Sequence, residues 1–272
     1  CKPADLVPGC AWAIAEILSR AGLPPGVFNL TMGRGSVVGE ILVNDPDVTA
    51  LSFTGSVGTG RAIAAKAIAR MAKVQLEMGG KNPLIVLDDA DLPTAVNVAV
   101  QGSYFSTGQR CTASSRIIVT NGIHDRFVAA VADKLATLRV DNALLPGTDI
   151  GPVVDQSQLD IDQKYLEVGK SEGAKLVVGG ERLQRATEGY YLAPALFTET
   201  TNAMRIAREE IFGPVACVIR AKDYDEALAL ANDTEFGLSA GIVTTSLKYA
   251  THFKRHSQAG MVMVNVPTAG VD

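Results

Sequence analysis

"VTALSFTGSVGTGRAIAAKAIARMAKVQLEM", residues 48–78, changes its period twice. "VTALSFTG" (48–55) reads as a strand, residues 57–71 as an alanine-rich helix, and "KVQLEM" (73–78) as a strand again. Strand, helix and strand in so short a space are the signature of a parallel, doubly wound sheet, so the fold class is α/β.

The same alternation extends in both directions. Upstream, residues 5–21 carry a helical apolar stripe that "GLPPG" (22–26) stops. "VFNLTMG" (27–33) then reads as a strand and "SVVGEILVN" (36–44) as a short helix. Downstream, strands are expected at "PLIVLDD" (83–89), "SRIIVT" (115–120), "AKLVVGG" (174–180), "VACVIRA" (215–221), "LSAGIVTT" (238–245) and "GMVMVNV" (260–266). Helices are expected at 91–106, where Asp91 can cap, and at 124–138, 156–173, 224–233 and 247–257. The paired glycines Gly79-Gly80 mark a boundary between two lobes, 1–79 and 80–272.

The totals exclude several classes. Of 272 residues, 47% are hydrophobic and 20% charged, which suits an ordinary globular chain with ample core. A net charge of −4 without a Lys/Arg block argues against nucleic-acid and membrane-surface binding. Apolar runs are too short to span a bilayer. The four cysteines are far apart and form no CxxC pair, so neither a disulfide scaffold nor a metal site is expected. A reducing compartment, cytoplasm by default, follows. The chain opens on Cys1-Lys2-Pro3 and stops soon after "MVMVNV", so it is expected to be a segment of something longer.

Few residues offer chemistry. "FTGSVGTG" (53–60) leads a strand into a helix through Gly55, Ser56, Gly58 and Gly60. Free N–H groups at that helix start can bind a phosphate; a tight turn capped by Ser56 explains the glycines equally well. "GRGSVVG" (33–39) is one residue off the dinucleotide fingerprint and reads as a turn before a helix. Cys111, in "STGQRCTASS", has small polar neighbours and Arg110 beside it, as a reactive thiolate requires. Inert burial suits Cys10 on its helix face and Cys217 in "VACVI" better. Glu77 stands among apolar strand neighbours, as a buried general base would, or it shares a water-facing side with Gln75. His124, His252 and His256 sit among charged helix residues and are expected at the surface, which leaves a Cys–His hydrolase without its base.

Taken together, "FTGSVGTG", "LEMGGKNP", "GQRCTASSR", "EEIFGPV" and "GMVMVN" resemble the NAD(P)-dependent aldehyde dehydrogenase superfamily, in its order and along the whole chain. The resemblance implies the second half of a Rossmann-type NAD(P)-binding domain (1–79) followed by an α/β catalytic domain (80–272) incomplete at its C-terminus. It makes Cys111 the nucleophile and Glu77 the base that activates water. It assigns Gly55, Ser56 and Gly60 to the cofactor pyrophosphate, and Lys2 and Asp5 to the adenosine ribose. Glu210 would hold the nicotinamide ribose, with Phe212 packing nearby. The implied reaction oxidises an aldehyde to the acid with NAD or NADP through a thioester on Cys111, and the glycines beside Glu77 would give its side chain room to shift.

The texture of "STGQRCTASSR" and "NVPTAGVD" is most similar to members that act on carboxylate-bearing semialdehydes such as 2-oxoglutarate semialdehyde. Arg110 could hold that carboxylate bidentately, although chain neighbours that point opposite ways would set it off the Cys111 side. The family's upstream oxyanion asparagine lies outside these residues, so the isolated segment is expected to be inactive and poorly stable. Whole family members form homodimers or homotetramers. A cofactor-free cysteine thioesterase or acyl transferase, and a non-catalytic structural fragment, are the alternative readings.

Overall fold

The computed structural model describes residues 1–268; Ala269–Asp272, the end of "NVPTAGVD", lie outside them. The chain divides into two units, Cys1–Met78 and Gly79–Asp272.

In the first unit, α1 (Pro8–Arg20) is followed by a π-helical turn, Gly35–Gly39, that runs into α2 (Glu40–Asn44). Then come β1 (Ala50–Gly55), α3 (Val57–Ala69) and β2 (Lys73–Met78). β1 and β2 pair in parallel from Ala50↔Lys73 to Gly55↔Met78, as the changes of period required. The Ser56 hydroxyl caps α3 by accepting from the Thr59 N–H. "VFNLTMG" does not become a strand of a sheet. Its backbone exchanges hydrogen bonds with residue 1 instead, Cys1 N donating to Asn29 O (2.6 Å) and Thr31 N to Cys1 O (2.9 Å). No residue of α1 is buried, so Cys10 is exposed rather than an inert core thiol.

Among the described residues, the second unit is built on seven strands. β3 (Pro83–Val86), α4 (Leu92–Tyr104), β4 (Arg116–Thr120), α5 (Asn121–Ala136) and α6 (Gln156–Ser171) come first. β5 (Lys175–Val178), β6 (Ala195–Thr200), α7 (Arg205–Arg208), β7 (Val215–Ala221) and α8 (Tyr224–Asn232) follow. β8 (Ser239–Val243), α9 (Leu247–His256) and β9 (Met261–Val264) complete it. The sheet order is β5-β6-β7-β4-β3-β8-β9, parallel throughout except that β5 runs antiparallel to β6.

Both faces of this sheet are covered, which explains strands that are apolar without interruption. Leu84, Val86, Ile117 and Val119 pack with Ala99, Phe127 and Val131 of α4 and α5. The alternate residues Ile85, Ile118, Phe197 and Ile219 pack with Leu166, Ala227 and Phe253 of α6, α8 and α9. Asp91 caps α4 as expected, accepting from Thr94 N (3.0 Å).

Two features escaped the sequence reading. The sequence reading assigns "ALFTET" to no element, yet it forms β6, where Thr198 and Thr200 are buried and the Thr200 hydroxyl donates to the Val218 carbonyl (2.6 Å). His124 is not at the surface. It is 3% exposed, on the α5 stripe that also buries Ile123 and Phe127, and its Nδ1 pairs with Asp125 (2.8 Å). No helix among the described residues is long and apolar enough to cross a membrane.

Candidate active site

In the second unit, "GQRCTAS" enters β4 through two tight turns. Ser106, Thr107 and Gly108 all have φ between 55° and 64°, and such strain in non-glycine residues gathers at functional sites. The Ala113 N–H then donates to the Arg110 carbonyl (3.0 Å), which closes a turn with Cys111 at its second position. Cys111 is exposed at that apex.

The carbonyls of this turn are all held. The amide Nδ2 of Asn82 donates to Cys111 O (2.8 Å) and to Ala113 O (2.9 Å). The Thr268 hydroxyl donates to Thr112 O (2.7 Å). Because N–H and C=O oppose each other in a trans peptide, turning the Arg110 carbonyl toward Ala113 turns the Cys111 N–H outward. That N–H meets no acceptor among the described residues.

"GGKNP" enters β3 beside the turn, and its glycines have steric causes. A side chain at Gly79 would collide with the Glu210 carboxylate. One at Gly80 would lie 2.7 Å from Asn82 Oδ1 and 3.0 Å from the Cys111 carbonyl. These close approaches account for the glycine pair without any movement of Glu77. Lys81 is 1% exposed, its Nζ has no hydrogen-bond partner among the described residues, and burial pulls its pKa down to about 8.

"EEIFGP" enters β7 and separates two glutamates that the sequence makes adjacent. Glu209 is saturated by Arg205 (2.8 and 3.0 Å) and the Tyr165 hydroxyl, and the Arg205 bond holds its pKa below the usual range. Glu210 is half-buried and accepts one bond, from Gly80 N (3.1 Å). Burial raises its pKa, against the opposing pull of that bond and of Lys81. Phe212 is partly exposed at φ 62°. Behind it Asp162 is fully buried against Gly213, and burial pushes its pKa up to about 7. Gln158 Nε2 donates to both Asp162 (2.8 Å) and the Ile211 carbonyl (2.9 Å), which braces this loop.

Arg110 turns back onto α4, where Nη2 donates to the Gln101 carbonyl (2.6 Å), and burial lowers its pKa. Of the residues singled out in sequence, this unit therefore gathers Cys111 and Glu210 on loops joined through Gly79-Gly80. Asn82, Lys81, Asp162 and Thr268 went unnoticed. The usable signal was "KN" between a glycine pair and the proline of a buried strand: two polar side chains there must find partners inside.

In the first unit, Gly55 lies under the Phe53 ring and Gly60 is buried against the Met78 sulfur and Phe53. Space over Gly58 is open. Lys2 Nζ bonds Asp5 (2.7 Å) and the Gly33 carbonyl (3.0 Å), and Lys2 holds the Asp5 pKa down. Next to them is an open groove of 480 Å³ lined by Pro3, Asp5, Trp12, Met32 and Arg34. Glu77 lies on the exposed side of β2 with Gln75, opposite Thr54 in the register.

The model of the aldehyde dehydrogenase family matches residues 1–272. The chain belongs to that family. It is 46% identical to the alpha-ketoglutaric semialdehyde dehydrogenase of Bacillus subtilis and 43% identical to the 2,5-dioxopentanoate dehydrogenase of Saccharolobus solfataricus, over its whole length. It spans about half the length of these curated relatives, 56% in each case. Among solved structures, the betaine aldehyde dehydrogenase of Staphylococcus aureus in complex with NAD+ matches with a TM-score of 0.95 at 36% identity, over 97% of this chain and 53% of that one. The α/β fold of this aldehyde dehydrogenase family chain is thus the one its motifs announced.

Proposed function

We propose that this chain carries the nucleophile, the base and cofactor-holding residues of an aldehyde oxidation that uses NAD or NADP. The observation that supports it best is the Cys111 turn: an exposed thiol at the apex, with its own N–H turned outward and the carbonyls around it tied down. In this reading the Cys111 thiolate attacks the aldehyde carbon, and the carbonyl oxygen becomes an oxyanion that the Cys111 N–H stabilises. The dinucleotide, when bound, supplies the acceptor for the hydride that leaves the carbon. Cys111 is left holding the acyl group as a thioester. Glu77 takes a proton from water, the water attacks the thioester, and the acid departs as Cys111 regains its thiolate.

The residues present fit a dinucleotide. Glu210 offers Oε2, which has no hydrogen bond among the described residues, to ribose hydroxyls, with Phe212 beside it. The capped start of α3, with open space over Gly58, suits a pyrophosphate approached by Gly55, Ser56 and Gly60. The groove next to Lys2 and Asp5 suits the adenosine end. That the Staphylococcus aureus neighbour holds NAD+ supports the same assignment.

For the substrate, the two semialdehyde dehydrogenase relatives favour an aldehyde that also bears a carboxylate. Arg110 is the candidate partner for that carboxylate, and its bond to Gln101 counts against it. The test is NADH formation by the complete natural chain that carries this sequence. Cys111→Ser is expected to lower aldehyde oxidation by about ten-thousandfold. Retention of oxidation in that variant, or cofactor-free thioester hydrolysis by the parent as its main activity, would overturn the reading.

A further inference from the structure

We infer that Asn82 is the positioning residue for the nucleophile, the group that aims the Cys111 N–H at the substrate oxygen. This rests on Cys111 being the nucleophile, as proposed above. Asn82 is 1% exposed and spends its whole amide on three neighbours. Nδ2 donates to the carbonyls of Cys111 and Ala113, and Oδ1 accepts from Ser239 N (3.1 Å).

The geometry is that of a clamp. Residue 82 precedes β3, residue 239 opens β8, and the two strands are hydrogen-bonded neighbours in the sheet. Asn82 is thus anchored at two paired strands of the sheet, and both its donors reach across to one turn. Holding the carbonyls of residues 111 and 113 fixes the 111–112 and 113–114 peptide planes, the two that bracket the Thr112–Ala113 peptide. The remaining degree of freedom, rotation of the 110–111 peptide, is closed by Ala113 N bonding Arg110 O (3.0 Å). The only direction left for the Cys111 N–H is outward. Thr268 and Ser239 hold the Thr112 carbonyl (2.7 and 3.5 Å), so the turn keeps its place without Asn82 but loses its aim.

Oxyanion stabilisation depends on a donor placed to within a fraction of an ångström, whereas alkylation of a thiolate by iodoacetamide needs no oxyanion donor. The two reactions of Cys111 therefore separate aim from mere presence. The variants are Asn82→Asp, which keeps the acceptor for Ser239 N and loses both donors, and Asn82→Ser, which keeps one donor. In the complete natural chain, with propionaldehyde as probe, Asn82→Asp is expected to lower kcat by about a hundredfold, and Asn82→Ser by less. The KM for NAD and the iodoacetamide rate at Cys111 are expected to stay within about threefold of the parent.

Either variant, folded and with kcat within about threefold of the parent, would overturn the inference. So would a parallel fall of kcat, alkylation rate and unfolding midpoint in both variants, which would make Asn82 a structural brace only. An active Cys111→Ser variant would instead remove the underlying reading and leave Asn82 with no nucleophile to aim.

Discussion

The two units of this chain place their candidate residues at opposite ends of parallel strands. In the first, Gly55 ends β1, Ser56 follows it and Glu77 sits near the end of β2, at the carboxyl ends where ligands of open α/β sheets usually bind. In the second, "GGKN", "GQRCTAS" and "EEIFGP" all lie just before β3, β4 and β7, at the amino ends. The first arrangement uses a helix start, whose N–H groups are free by construction. The second has no such gift and instead orders loops with polar side chains, the buried Asn82 and Asp162 and the half-buried Gln158 among them. Chemistry on that side depends on hydrogen bonds made one at a time.

The units differ as sharply in burial. Strands β3, β4 and β8 of the second are buried throughout, while in the first only a few residues such as Val43 and Ala67 are buried, and Trp12, Ile14 and Ile68 are more than half exposed. An amphipathic pattern is a statement about what a face could bury, not about what lies against it. Phe197→Ala, in the sealed core, is expected to cost about 3–5 kcal/mol in urea unfolding. Ile68→Ala, 64% exposed, should stay within about 0.5 kcal/mol. Equal costs would erase the contrast.

Asp162 sharpens it by pH. Its carboxyl titrates near 7 in the fold instead of 3.8, so the native state keeps a proton that the unfolded chain releases in between. The parent is therefore fully stable in this respect at low pH, loses stability as pH rises toward about 7, and is level above it. Asp162→Asn removes that loss. Its advantage over the parent should grow between about pH 4 and pH 7, to at most about 4 kcal/mol. A gap independent of pH would mean that Asp162 is not held neutral by burial. Smaller than the effects at Phe197 and Asp162 is the cap of α3: Ser56→Ala should cost about 1 kcal/mol, read as a shift in the unfolding midpoint.

Much of this was legible in the sequence because local pattern and local role coincide. Period changes gave β1, α3 and β2, and small polar neighbours singled out Cys111. What was not legible depends on distant partners. "VFNLTMG" has the composition of a strand, but its backbone bonds residue 1 and the Lys2 side chain rather than a neighbouring strand. "ALFTET" hides a core strand: the Thr200 hydroxyl finds the Val218 carbonyl inside, while the Thr198 hydroxyl is buried with no hydrogen-bond partner among the described residues. His124 is concealed by charged neighbours that face the other way on α5. Gly79 and Gly80 looked like a hinge or a space for Glu77, and their steric causes are Glu210, far along the chain, for Gly79 and the nearby Asn82 for Gly80. The choice of Glu210 over Glu209 came from resemblance; its physical basis is that Arg205 and Tyr165 occupy Glu209.

The central claim is that Cys111 takes the acyl group and Glu77 frees it. Its most direct test is a mass measurement on Glu77→Gln in the complete natural chain, mixed with aldehyde and NAD+. The account predicts one equivalent of NADH released quickly and a stable acyl mass on the peptide that contains Cys111, with turnover lowered by about a hundredfold or more. Turnover at the parent rate, or an acyl mass on any other residue, would contradict it.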